Sequence, residues 1–150
     1  MNTKACVILL AEDDPNDVLL VQRAMQKLNF AAPLQVVRDG EEALAYLSGQ
    51  DAYGDRESYP LPALMLLDLK MPRRSGFEVL QWLRGQNGLK RLPVVVLTSS
   101  NQASDINKAF DLGANSYLVK PGGFDSLLEL MKGLDMYWLM LNEKPELAGG

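Results

Sequence analysis

The chain has 150 residues, which makes one domain the default and allows a hydrophobic core without disulfide or metal staples. Its 15 Lys and Arg stand against 19 Asp and Glu for a net charge of -4, an acidic balance that argues against direct binding to nucleic acid. The single cysteine, Cys6, excludes an intrachain disulfide, and no apolar run approaches the ~18 residues that a membrane-spanning helix needs; a soluble, cytoplasmic protein with no membrane partner is expected.

The first strand is expected in "ACVILLA" (5 to 11), with Cys6 as a small core residue. Asp14-Pro15 then supplies an N-cap and a proline at the first helical position. Val18, Val21, Met25 and Leu28 follow at helical intervals, with Asn16 and Asp17 in the first turn where the helix dipole favours them. "LQVV" (34 to 37) reads as the second strand, and Asp39 to Glu42 has capping-box spacing ahead of the second helix. "SGQDAYGDRESYPLP" (48 to 62) is polar, with two glycines and two prolines, and is expected to be an extended loop.

"ALMLL" (63 to 67) is the third strand, and Ser75 to Glu78 repeats the capping-box spacing before the third helix. "PVVVL" (93 to 97) is the fourth strand. The helix after it puts Ala103, Ile106, Ala109 and Phe110 on one face and stops at Gly113. "SYLV" (116 to 119) is the fifth strand, and the last helix starts after Gly122-Gly123. Phe124, Leu127, Leu128, Met131, Leu134, Trp138 and Leu141 should face the sheet, while Leu130, Met136, Tyr137, Leu139 and Met140 widen the apolar arc enough to imply an interface. The tail "NEKPELAGG" is expected to fray.

Four of the five strands lack polar alternation, the pattern of a parallel sheet covered on both faces, so the alternation of strand and helix predicts a doubly wound α/β domain. In such folds ligands bind beyond the carboxyl ends of the strands. Glu12 and Asp13 follow the first strand and Asp68 the third, so these acids should converge at one edge. Carboxylates packed together raise one another's pKa unless a cation holds them ionised. An open, oxygen-only site suits Mg²⁺, which keeps waters and bridges carboxylate to phosphate oxygens. Thr98 and Lys120 at the next two strand ends add a hydroxyl and an ammonium, and the set is suited to a phosphoryl group with Asp68 as the nucleophile.

"AEDDPND", "LLDLKMPRRSG", "VVVLTSS" and "SYLVKP", in this order, closely resemble the receiver domain of two-component response regulators. The separations of 30 residues from Asp68 to Thr98 and 22 from Thr98 to Lys120 are those usual in that family. The resemblance covers roughly residues 4 to 140 and implies a flavodoxin-like (βα)5 fold with a five-stranded parallel sheet of order 2-1-3-4-5. It implies a receiver over residues 1 to 142 and a short tail at 143 to 150. Residue by residue it makes Asp68 the phosphoacceptor, with Asp13 on Mg²⁺ directly and Glu12 through water. Asp14 is then the cap of the first helix rather than a ligand. Lys70 would lend its backbone carbonyl to the metal, Thr98 and Tyr117 would form the switch pair, and Lys120 would bind the phosphoryl group through a lysine whose bond to Pro121 is cis.

The longer loop at 48 to 62 and the helix end "MYWLMLNEKP" resemble small stand-alone response regulators found beside bacterial phytochrome-type and other sensor kinases. The chain contains no histidine, so the phosphohistidine donor must be a separate sensor kinase or phosphotransfer protein. Output is expected through helix four, strand five and helix five, and self-association as a two-fold homodimer through the same face. Two other classes remain open: a pseudo-receiver that only binds, and a Mg²⁺-dependent phosphohydrolase working through an aspartyl phosphate. The second is disfavoured by Lys70, which stands where such enzymes commonly carry their general acid. A nucleotide or flavin module is disfavoured by "EDDPND", which has no Gly-rich phosphate cradle.

Overall fold

The structure, a computed structural model, describes residues 7–148. Cys6 and the first residues of the expected strand lie outside that range. Five parallel strands, β1 (Ile8–Ala11), β2 (Leu34–Val37), β3 (Leu64–Leu67), β4 (Val94–Thr98) and β5 (Ser116–Val119), form one sheet in the order β2-β1-β3-β4-β5. The helices between and after them are α1 (Pro15–Lys27), α2 (Gly40–Ser48), α3 (Gly76–Arg84), α4 (Ala103–Asp111) and α5 (Phe124–Leu134). This is the flavodoxin-like doubly wound fold expected from the sequence. No helix among the described residues is long and apolar enough to cross a membrane.

The uniformly apolar central strands are explained by two cores. Ile8, Leu10, Leu64, Leu66, Val95 and Leu97 pack with Val18 and Val21 of α1 and Leu127 and Met131 of α5. The alternate residues of the same strands, including Leu9, Met65, Leu67, Val94 and Val96, pack with side chains of α2, α3 and α4. Successive strand side chains point to opposite faces, so a sheet covered on both sides needs an apolar residue at every position. The edge strands β2 and β5 are only partly buried.

The helix starts follow their capping signals. Asp14 accepts from the Asn16 N–H with Pro15 at the first helical position, and Ser75 and Glu78 form a reciprocal capping box. Asp39 accepts from the Glu42 N–H at 2.7 Å, but Glu42 accepts from Arg38 N–H rather than from Asp39, so this box is not reciprocal.

Four expectations need correction. Residues 48–62 are not simply extended: they contain a 3-10 turn at Asp51–Tyr53. Tyr53 and Tyr59 of this segment cluster with Tyr46 of α2, two of the ring pairs T-shaped and the Tyr46–Tyr53 pair tilted, with centroids 5.0 to 6.0 Å apart. Arg56 closes this loop by donating to the carbonyls of Tyr46, Leu47 and Tyr59, which caps the end of α2 with a cation. On α4 Ala109 is buried but Ala103 and Phe110 are exposed, because α4 is amphipathic over a narrow arc that only Ala109 centres.

The last helix runs on past α5 as a π-helical turn, Asp135–Leu141. The wider turn shifts the register of the side chains, and Leu141, expected against the sheet, is 66% exposed. The tail does not fray over its described part. Leu147 packs on the core beneath α2, α3 and α4, and the Ala148 N–H donates to Gly88 O at 2.7 Å. Gly88 is required by this seat, since a Cβ there would collide with the Ala148 carbonyl.

Candidate functional site

The register of the sheet brings the site together. Ala11 lies opposite Leu67, so Glu12 and Asp68 leave β1 and β3 side by side. Thr98 pairs with Val119, which puts Lys120 next in line at the end of β5, and the Lys120 N–H donates to Thr98 O at 2.8 Å. The strand order reverses between β1 and β3, where open α/β sheets leave a crevice for ligands. The β3 end is further pinned by Gly76 at the start of α3, where a Cβ would strike the Asp68 carbonyl.

Within the crevice Asp68 is 6% and Glu12 2% exposed, Thr98 is buried, and Asp13 is open to solvent. Asp68 accepts from the Thr98 hydroxyl (2.8 Å) and the Lys70 N–H (3.3 Å) through Oδ1, and from Lys120 Nζ (3.1 Å) through Oδ2. Lys120 Nζ also lies 2.6 Å from Glu12 Oε1 and 2.7 Å from Asp17 Oδ2. The second Glu12 oxygen accepts from the Asp14 N–H. Asp17 was legible only as a first-turn acid of α1. Its partner is 103 residues away, and no local signal points to it.

The charge balance is acidic, with Glu12, Asp13, Asp17 and Asp68 around one ammonium. Burial pushes the Glu12 carboxyl up to about 7, against the opposing hydrogen bonds from Lys120 and the Asp14 N–H, and the Asp68 charge adds to the rise. Burial works against the Lys120 ammonium, but its bonds to Asp17 and Glu12 and the Asp68 charge outweigh it and leave Lys120 above its ordinary value. One cation is thus firmly protonated, while a buried acid next to it is reluctant to ionise. Carboxylate oxygens of Glu12, Asp13 and Asp68 lie within 4.8 Å of one another, and an all-oxygen donor set of this kind fits a hard divalent cation.

Tyr117 stands one step away. Its hydroxyl donates to Ser100 O at 2.9 Å, in the connection between β4 and α4. Lys70 is at the site through its backbone, with its side chain exposed. The Lys120-Pro121 peptide is trans, against expectation, as is every peptide among the described residues. Trans is the ordinary preference even before proline, and the Lys120 N–H bond to Thr98 holds the lysine at the strand end without a cis turn.

Residues 8–132 match the response regulator receiver domain, and the chain belongs to that family. It is 37% identical over 139 residues to the probable methanogenesis regulatory protein FilR2 of Methanothrix harundinacea, covering 93% of this chain and 87% of that protein. It is 39% identical over 133 residues to response regulator Rcp1 of Synechocystis, covering 89% and 88%. The structure of the Mn²⁺-bound form of Rcp1 superposes with a TM-score of 0.83 at 38% identity, covering 93% of this chain and 99% of that one. The phosphorylated cyanobacterial phytochrome response regulator RcpA gives a TM-score of 0.87 at 36% identity, covering 95% and 99%.

Proposed function

We propose that this receiver is a phosphoacceptor: a carboxylate oxygen of Asp68 attacks the phosphorus of a phosphohistidine on a partner kinase or phosphotransfer protein. The new P–O bond forms as the P–N bond breaks, and the electron pair of that bond stays on the imidazole. The observation that carries this reading is the setting of Asp68, with the Thr98 hydroxyl 2.8 Å from one oxygen and the Lys120 ammonium 3.1 Å from the other. These two donors meet charge as it develops on the phosphoryl oxygens. Glu12, Asp13, Asp68 and the Lys70 carbonyl would hold Mg²⁺, which when bound offsets phosphoryl charge and keeps the acids ionised. The same groups would assist both gain and hydrolysis of the phosphoryl group, which makes the protein a signalling device rather than an enzyme with a separate substrate.

A relative named as a phytochrome response regulator, RcpA in its phosphorylated form, supports a phytochrome-type sensor kinase as the donor class. The Mn²⁺-bound relative supports a divalent ion at the acids. Output runs through Thr98 and Tyr117 to the α4, β5 and α5 face, by a shift between inactive and active forms. Phe110, Val119, Met136, Tyr137, Met140 and Leu141 expose apolar surface on these elements and the turn that extends α5, which supports a homodimer there. The net charge of -4 favours protein partners over nucleic acid in a cytoplasmic setting.

Incubation with acetyl phosphate, with and without Mg²⁺, followed by intact mass tests the proposal. One added phosphoryl group is expected, dependent on Mg²⁺ and absent in Asp68→Asn. A wild type unchanged after long exposure, or an Asp68→Asn variant that still gains the group, overturns it.

A further inference from the structure

Lys120 is shared by three carboxylates, and only one of them stands outside the set that can close on a metal ion. Its Nζ lies 2.6 Å from Glu12, 2.7 Å from Asp17 and 3.1 Å from Asp68. The contacts to Asp17 and Asp68 are hydrogen bonds and the one to Glu12 is an ion pair, so the ammonium is surrounded by all three acids. Glu12 and Asp68 belong with Asp13 to the trio whose oxygens can meet at one ion, and Asp17 does not. The lysine and a divalent ion therefore draw on the same two carboxylates, Glu12 and Asp68.

Asp17 offers the ammonium a seat that the ion leaves free. It rides on the first turn of α1, whose start is held by the Asp14 cap and Pro15 and whose inner face is buried through Val18 and Val21. The carboxylate thus hangs from a packed helix rather than a loop. On the same side a small cavity lined by Leu20, Val21, Leu97, Pro121 and Leu127 adjoins Lys120, which gives the lysine stem room to move toward α1.

We propose that Asp17 is a positioning residue for Lys120: it draws the ammonium toward α1 when a divalent ion takes Glu12 and Asp68, so that the lysine stays at the pocket without opposing the ion. The proposal rests on the reading of the acid trio as a divalent-metal site. It assigns Asp17 an effect that acts only through Lys120, which separates it from a general contribution of negative charge to metal affinity.

Calorimetric titration with Mn²⁺, and in parallel Mg²⁺, of the wild type, Asp17→Ala, Lys120→Ala and the double variant decides the matter. Asp17→Ala should raise the Mn²⁺ Kd by roughly fivefold in the wild-type background and by less than about twofold when Lys120 is already alanine, since coupled residues depart from additivity. Asp17→Ser gives a second neutral variant so that the comparison survives misfolding of either one. An equal loss in both backgrounds reduces Asp17 to bulk charge and overturns the proposal, as does no loss in either. A wild type that binds no ion overturns the metal-site reading together with this one, and so is told apart from a failure of Asp17 alone.

Discussion

Thr98 Oγ1 donates a 2.8 Å hydrogen bond to Asp68 Oδ1 from a side chain with no exposure to solvent. On the proposed phosphoacceptor reading, the hydroxyl stands beside the acceptor carboxylate, in reach of the phosphoryl oxygens on which charge develops. Thr98→Ala should slow phosphoryl uptake from acetyl phosphate by roughly tenfold or more, the scale of losing one preorganised donor. Thr98→Ser should keep most of the rate. Time courses of intact mass provide the measurement, and an alanine variant as fast as the wild type would refute the role.

Removing the ammonium exposes the cost of the acid cluster. Without Lys120 the buried Glu12 faces Asp68 with no cation between them, so Lys120→Ala should lose about 2 kcal/mol of stability in chelator, the order expected when a largely buried ion pair loses one partner. The loss is held down because Glu12 can take up a proton. Millimolar Mg²⁺ should restore part of it by binding the folded state. Urea unfolding with and without the ion checks this. A variant as stable as the wild type in chelator contradicts the ion-pair account.

The tail seat is open to a double-mutant test. Leu147→Ala removes an apolar contact with the core, and Gly88→Ala puts a Cβ into the Ala148 carbonyl. Each change should cost about 1 kcal/mol. Both act by releasing the same segment, so the double variant should cost little more than the worse single one. Full additivity in urea unfolding would show that the two residues do not share one seat.

Self-association should respond to charge on the helix extension. Met140 is 72% and Leu141 66% exposed, and Met140→Glu with Leu141→Glu should weaken a dimer by at least about tenfold if these residues sit near its centre. Folding should be unaffected, since neither residue is buried. Sedimentation equilibrium over a concentration series gives the answer. Unchanged association places any dimer on another face.

How much of this was legible follows from the range of each signal. Helix starts at Pro15 and Gly76 were readable because a cap and its partner lie within a few residues. The gathering of Glu12, Asp68, Thr98 and Lys120 was readable because all follow the carboxyl ends of parallel strands, so topology alone brings them to one edge. Periodicity marked the apolar arcs of α4 and α5, but Phe110 came out exposed because the sheet covers only the Ala109 side of α4, and Leu141 because the π-helical turn after α5 shifts the side-chain register.

By itself the sequence determined the strand and helix order, the doubly covered parallel sheet and the edge where acids, hydroxyl and ammonium meet, because continuous apolar runs and capping residues act locally. Only the tertiary structure decided that Asp17 reaches Lys120 across 103 residues, that Arg56 caps α2 from an inserted loop, and that Ala148 settles on Gly88. Each of these depends on the rotation of one packed element against another. That angle is set by how whole side-chain surfaces fit together, and no short window of residues carries it.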